Sequence, residues 1–135
     1  MKLIATVVGA GILLAAVLAL LPRIWNPVEN GPDLHDPTSF VGCYGAGSNK
    51  VVLTRGSATV VGARQSTQIL RFFYLKSDAA INTTNNLQYD AAGRRLRIGD
   101  AKTGFFYRFD SPTKPTALLI PDDAGNVRKL LRVPC

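Results

Sequence analysis

Two patterns of hydrophobic positions divide this chain into an N-terminal apolar run and a β-rich remainder. Residues 3–21 carry no charge, and Thr6 is the only polar side chain among these 19 positions. A helix that is apolar on every face belongs in a membrane, and at about 1.5 Å per residue this one would span the roughly 30 Å hydrocarbon core. The pattern therefore predicts that residues 1–25 form a transmembrane anchor or a signal peptide.

Both forms of this segment fit the residues that flank the run. Its length favours a retained anchor, and Trp25 beside Arg23 occupies the place of an interfacial aromatic residue. Val17-Leu18-Ala19 would serve as a cleavage site for a signal peptide. In either case we expect the rest of the chain on the extracytoplasmic (periplasmic or extracellular) side, tethered to the membrane through residues 3–21 or secreted after cleavage.

The remainder divides into a linker and one small domain. Residues 26–39 contain three prolines and a glycine and follow no apolar period, which predicts a Pro-rich linker. Residues 40–135 alternate short runs of β-branched, aliphatic and aromatic residues with turn clusters at intervals of about 8–12 residues, and no long stripe of helical period interrupts them. The predicted strands are Phe40–Tyr44, Val51–Arg55, Ala58–Ala63, Gln68–Lys76, Leu87–Asp90, Arg95–Gly99, Phe105–Phe109, Thr116–Pro121 and Val127–Val133.

Turn chemistry and strand alternation together favour an antiparallel fold. Asp90–Gly93 and Asp123–Asn126 place Asp early and Gly late, as hairpin turns require, and Arg95–Ile98 alternates arginine with aliphatic residues. Sequential hairpins predict an all-β small antiparallel up-and-down barrel or flattened sandwich of about eight or nine strands, behind one N-terminal hydrophobic helix. In such a barrel the first and last strands are neighbours, so we expect a disulfide between Cys43 and Cys135 in an oxidising compartment.

The charge of the domain is strongly one-sided. Residues 40–135 contain 14 Lys and Arg against six Asp, a net charge of +8. If the later strands pair in order, their outward cations would form one patch: Arg94, Arg95, Arg97, Arg108, Arg128, Lys129 and Arg132. A patch of this kind attracts anionic lipid, phosphate-bearing glycan or an acidic protein. Its alternative is an ordinary, somewhat basic surface.

The chain carries no recognisable catalytic chemistry. Its one histidine, His35, lies in the linker, so a Ser-His-Asp triad is excluded from the domain and no metal site is expected. Gly42–Lys50 has the wrong spacing for a phosphate-binding loop, and no cofactor is predicted. Lys102–Phe109 does not match an RNA-binding signature, and export would remove a nucleic acid partner.

Two functions fit these observations. The first is a non-enzymatic binding or structural domain that contacts an anionic partner through its basic face. The second is a small barrel that resembles the lipocalins in architecture and carries an apolar ligand. The aromatic runs Phe72–Tyr74 and Phe105–Tyr107 would then line its interior, since eight-stranded barrels either fill with side chains or hold one small ligand.

Overall fold

The computed structural model describes residues 31–102 and 104–135, and this part of the chain is all-β, as the sequence predicts. The predicted N-terminal helix lies outside the described residues. Within them, the structure has no helix of the length and hydropathy that a bilayer crossing needs. The ten strands are β1 Gly42–Ala46, β2 Asn49–Leu53, β3 Ser57–Val60, β4 Gln65–Leu75, β5 Asp78–Thr83, β6 Leu87–Asp90, β7 Arg95–Ile98, β8 Phe105–Arg108, β9 Ala117–Pro121 and β10 Val127–Val133.

Eight strands form one antiparallel, nearly closed, barrel-like sheet. Their order is β8-β5-β4-β3-β2-β1-β10-β9, so the first and last strands of the domain are neighbours, as expected. The two ends of the sheet meet at a bridge between Phe109 and Leu118. Closing a sheet on itself hides the unpaired edges that eight strands would otherwise expose.

The remaining two strands correct the prediction of a sequential meander. β6 and β7 form a separate two-stranded sheet, which a single bridge between Tyr89 and Asp122 joins to the residue after β9, and β8 pairs with β5 instead of β7. The hairpin β6–β7 lies outside the eight-stranded sheet but contributes apolar side chains to the core, where Leu87, Leu96 and Ile98 are all buried. Tyr107 on β8 attaches β8 to the hairpin, because its hydroxyl accepts a hydrogen bond from the Leu87 N–H at 2.7 Å.

Strand β5 is absent from the predicted set. Its sequence, Asp-Ala-Ala-Ile-Asn-Thr, is poor in the residues that favour strands. Ala79 and Ala80 are completely buried, and β5 packs between the long strand β4 and β8. Small side chains suit a strand that is covered on both faces, but they give no hydrophobic alternation to recognise.

The barrel interior is filled by inward-facing side chains from both halves of the sheet. Phe40, Tyr44 and Phe109 form its aromatic centre, with ring centroids of Phe109 4.8 Å from Phe40 and 5.8 Å from Tyr44. The Tyr44 hydroxyl donates to the carbonyl oxygen of Phe40 at 2.8 Å. Burial raises the pKa of both Tyr44 and Tyr107 to about 12.

The described part of the predicted linker lies against β4. The Leu34 N–H donates to the Phe72 carbonyl oxygen and the Tyr74 N–H to that of Pro32, at 3.0 and 2.8 Å. Gly31 is required at this approach, because a Cβ there would lie 2.1 Å from the Tyr74 carbonyl oxygen. Residues 31–34 therefore cover the half of β4 that β3 leaves unpaired.

The predicted disulfide is confirmed. Cys43 on β1 and Cys135 after β10 are bonded, with their Cα atoms 5.5 Å apart. The bond closes the chain across the β1–β10 pair, where Cys43 is opposite Val133. It therefore fixes the C-terminal end of the chain to the first strand of the sheet.

Candidate functional site

The hairpin β6–β7 is fastened to the sheet by amide side chains instead of a backbone ladder. Asn49, at the start of β2, accepts a hydrogen bond from the Leu96 N–H at 2.7 Å and donates to the Arg94 carbonyl oxygen at 2.9 Å. Gln65, at the start of β4, accepts one from the Ile98 N–H at 2.9 Å. A side chain that joins two backbones holds them farther apart than the direct hydrogen bonds of a strand ladder would. This mode of attachment therefore leaves a recess between the hairpin and the sheet.

We name this recess the arginine cleft. Its volume is about 570 Å³, and the turn after β3 and the turn between β6 and β7 face each other across it. It is lined by Ser48, Asn49, Gly62, Ala63, Gln65, Asp90, Gly93, Arg94, Arg95, Leu96 and Arg97. Arg64 belongs to the same turn as Gly62 and Ala63 and is exposed beside the cleft.

The cations of the arginine cleft have no anionic partner among the described residues. Arg94, Arg95 and Arg97 are exposed and form no ion pair there. The carboxylate that lines the cleft, Asp90, accepts the N–H groups of Ala92 and Gly93 at 3.1 and 3.2 Å. Its Oδ1 atom therefore stabilises the β6–β7 turn, and no described carboxylate lies within ion-pair distance of the three guanidinium groups.

The backbone at both turns is unusual. Arg64 and Arg94 have φ angles of 52° and 50°, in the left-handed region that glycine normally occupies. For residues with a Cβ this conformation costs about 1–2 kcal/mol relative to the right-handed region. Arg64 and Arg94 each directly precede the next strand, so the left-handed conformation is a feature of the hairpin turn, and Lys76 in the turn between β4 and β5 has it as well.

A second recess adjoins the first at Asn49. This lysine cleft, about 270 Å³ in volume, is lined by Gly45, Ala46, Asn49, Tyr89, Arg128, Lys129, Leu130 and Leu131. Arg128 is engaged there: its Nε donates to Asp122 at 2.9 Å and its guanidinium lies 5.2 Å from the centre of the Tyr89 ring. Burial opposes ionisation of Asp122, but the N–H groups of Asn126 and Ala124 and the Arg128 guanidinium outweigh it and lower its pKa.

The structure divides the seven predicted patch residues into separate groups. Arg94, Arg95 and Arg97 share the arginine cleft, and Arg128 and Lys129 line the lysine cleft. The prediction rests on sequential pairing of the later strands, and this fails between β7 and β8, which are not neighbours.

The other two predicted cations lie elsewhere and have partners. Arg108 is 3.6 Å from Asp78, near the end of β4 that is opposite to the clefts. Arg132 donates to the carbonyl oxygens of Ser39 and Val41, and its guanidinium lies 5.7 Å from the centre of the Tyr44 ring. These two arginines therefore lie outside both clefts.

Sequence reasoning missed Arg64, Asn49 and Gln65. A signal for the two amides was present, because Asn49 and Gln65 continue the inward phase of Val51 and Thr67, where an apolar side chain would be expected. A polar residue in that phase indicates a partner from outside the sheet. The partner, the backbone of β7, could not be identified from spacing.

The two aromatic runs divide between the faces of the sheet. Phe72 and Tyr107 point into the core, whereas Phe73 is covered on the other face and Phe106 is exposed. The Arg71 guanidinium lies 4.7 Å from the centre of the Phe73 ring. Only some of the aromatic side chains in each run therefore face the interior.

No group of three or more His, Cys, Asp or Glu side chains in residues 31–102 and 104–135 is placed to hold a metal ion. A scan against protein-family models found no match, and searches of curated proteins and of solved structures found none either. The site must therefore be interpreted from its own geometry and charge.

Proposed function

We propose that this protein is a non-enzymatic binding protein whose β-domain recognises anionic groups at the arginine cleft. One observation carries the proposal: the guanidinium groups of Arg94, Arg95 and Arg97 surround a recess without an ionic partner among the described residues. Arg64, on the facing turn, adds a fourth positive charge.

The chemistry of the cleft favours phosphate, sulfate or carboxylate. A guanidinium group is planar and always charged, and it presents paired N–H donors that match these oxyanions. Anionic lipid headgroups, phosphate-bearing glycans and acidic proteins all offer such groups.

The proposed location is the extracytoplasmic side of a membrane. The Cys43–Cys135 disulfide supports it, because disulfides persist in oxidising compartments. The apolar run at residues 3–21 supports it as well, either as a retained anchor or as a cleaved signal. A tethered domain would present the arginine cleft to components of the envelope or of the cell exterior.

The positive φ angles allow a test that removes charge without disturbing the fold. Arg94→Gly deletes one guanidinium and relieves the left-handed strain, so we expect weaker pyrophosphate binding with an unchanged or higher melting temperature. Lys76→Gly is the matched control, because Lys76 also has a positive φ, 57°, but lies in the turn at the other end of β4.

A stronger perturbation reverses charge within the cleft. Arg95→Glu with Arg97→Glu should abolish binding of pyrophosphate to the full-length chain in neutral detergent, measured by titration calorimetry. Lys76→Glu with Lys114→Glu changes the net charge equally at exposed positions away from the cleft and should weaken binding only slightly. Equal losses in the two double variants would contradict a localised site and leave only the overall positive charge.

The lipocalin-like alternative has one observation in its favour, the barrel-like closure of the eight-stranded sheet. The interior is occupied by packed side chains, so an apolar ligand would have to displace the hairpin β6–β7, which contributes Leu87, Leu96 and Ile98 to the core. An apolar fluorescent probe that gains emission with the wild-type chain in a stoichiometric, saturable way would support this alternative. A linear response to probe concentration would count against it.

A further inference from the structure

The arginine cleft and the lysine cleft adjoin at Asn49. Asn49 lines both, and Tyr89 of the lysine cleft is followed directly by Asp90 of the arginine cleft. The hydrogen bonds between Asn49 and the backbone of β7 lie where the two recesses meet. A ligand that contacts the cations of both clefts must therefore extend past Asn49.

The lysine cleft also contains positive charge. Lys129 lines the lysine cleft and forms no ion pair with a described residue, and Lys50 is the cross-strand partner of Gly45 in the same cleft. The carboxylates nearby are engaged: Asp122 with Arg128, and Asp123 with the Ala91 N–H at 3.2 Å. Lys129 is therefore the cation of the lysine cleft that has no ionic partner among the described residues.

We infer that the anionic partner is a linear polyanion, a flexible chain of repeated phosphate or sulfate groups that occupies both clefts across Asn49. The inference rests on the proposed function and adds the class of ligand. A single small anion bound by Arg94, Arg95 and Arg97 would leave Lys129 of the other cleft without an ionic partner among the described residues. A chain with regularly spaced charges reaches Lys129 as well, and each additional contact releases counterions from the polyanion.

This geometry separates the polyanion from a flat anionic bilayer. The cations line two recesses that adjoin at Asn49, and a flexible chain can follow both of them. A planar surface meets only the side chains that project furthest, and it has no reason to depend on Lys129 more than on any other exposed lysine.

The test compares pyrophosphate with long-chain inorganic polyphosphate, using the full-length chain in neutral detergent. Arg95→Gln should weaken both ligands by about tenfold, the size expected for one charge-assisted hydrogen bond. Lys129→Gln should weaken polyphosphate alone and lower the slope of log Kd against log salt by about 1. Lys114→Gln is the control, because Lys114 is exposed and lines neither cleft, and it should change neither affinity.

The outcomes distinguish the two proposals. If polyphosphate is insensitive to Lys129→Gln while pyrophosphate still depends on Arg95, the linear polyanion is wrong and the arginine cleft stands. If neither ligand depends on Arg95, the proposed function itself fails, and the inference with it. A last comparison places the full-length chain in phosphatidylglycerol nanodiscs. Polyphosphate binding that is retained there and still depends on Lys129 supports the inference. Loss of this binding would show that the bilayer occupies the clefts and would overturn the inference.

Discussion

The attachment of the hairpin β6–β7 through Asn49 gives the most direct test of this structure. Asn49→Ala removes two hydrogen bonds, one from the Leu96 N–H at 2.7 Å and one to the Arg94 carbonyl oxygen at 2.9 Å. Each is worth about 0.5–1.5 kcal/mol net, so the hairpin should lose about 1–3 kcal/mol of its attachment. Since about 1.4 kcal/mol is tenfold in an equilibrium, the hairpin should open at least several times more often.

Amide hydrogen exchange followed by NMR measures this opening directly. In Asn49→Ala we expect faster exchange at Leu96 and Ile98, the β7 amides that Asn49 and Gln65 hold. Amides in the β2–β3 ladder should change less, because that ladder does not depend on the hairpin. Asn126→Ala is the control, since the Asn126 side chain is exposed and forms no hydrogen bond with the described residues.

A second substitution at the same position separates the two bonds. Asn49→Asp keeps an acceptor for the Leu96 N–H but places an oxygen against the Arg94 carbonyl oxygen, so we expect a smaller increase in exchange than with alanine. It also adds a negative charge to both clefts and should weaken pyrophosphate binding. Wild-type exchange rates at Leu96 in Asn49→Ala would refute this reasoning and show that burial of the hairpin's apolar side chains is sufficient.

Three further predictions concern the stability of the domain. Cys43→Ser with Cys135→Ser opens a loop with a sequence separation of 92 residues and should lower the free energy of unfolding in urea by about 4–5 kcal/mol; a loss below about 1 kcal/mol would contradict this. The pKa of Tyr44 and of Tyr107 is about 12 in the folded state and 10.0 in the unfolded state. The stability that these two groups contribute is therefore present below pH 10.0 and should fall as the pH rises towards 12. Tyrosinate absorbance should show that two tyrosines titrate later than the others. Gly31→Ala places a methyl group against the Tyr74 carbonyl and should release residues 31–34 to limited proteolysis, while the rest of the domain resists cleavage.

Strand formation could be predicted from the sequence wherever one face of a strand is buried and the other is wet. Arg95–Ile98 shows this clearly, because its arginines are exposed and Leu96 and Ile98 are buried. Hydrophobic alternation does not reveal β5, because both of its faces are covered and alanines replace the larger residues. It also gave no sign that residues 31–34 would pair with β4.

The candidate site was only partly accessible from sequence. Arg94, Arg95 and Arg97 are near neighbours in the chain, so their grouping follows from one hairpin. The facing wall comes from residues more than 25 positions before Arg94, including Asn49 and Ala63. No local pattern connects these positions, because their proximity depends on where the hairpin β6–β7 packs.

The sequence by itself determined the all-β class, the positive charge of the domain and the two cysteines that bond. These properties follow from composition, from alternation along single strands and from the adjacency of first and last strands in a closed sheet. Only the tertiary structure decided that β8 pairs with β5, that the hairpin β6–β7 leaves the sheet, and that five of the seven predicted cations line two adjoining clefts. The physical reason is that alternation specifies which face of a strand is buried but not which strand lies beside it; that choice depends on packing and side-chain hydrogen bonds between distant residues.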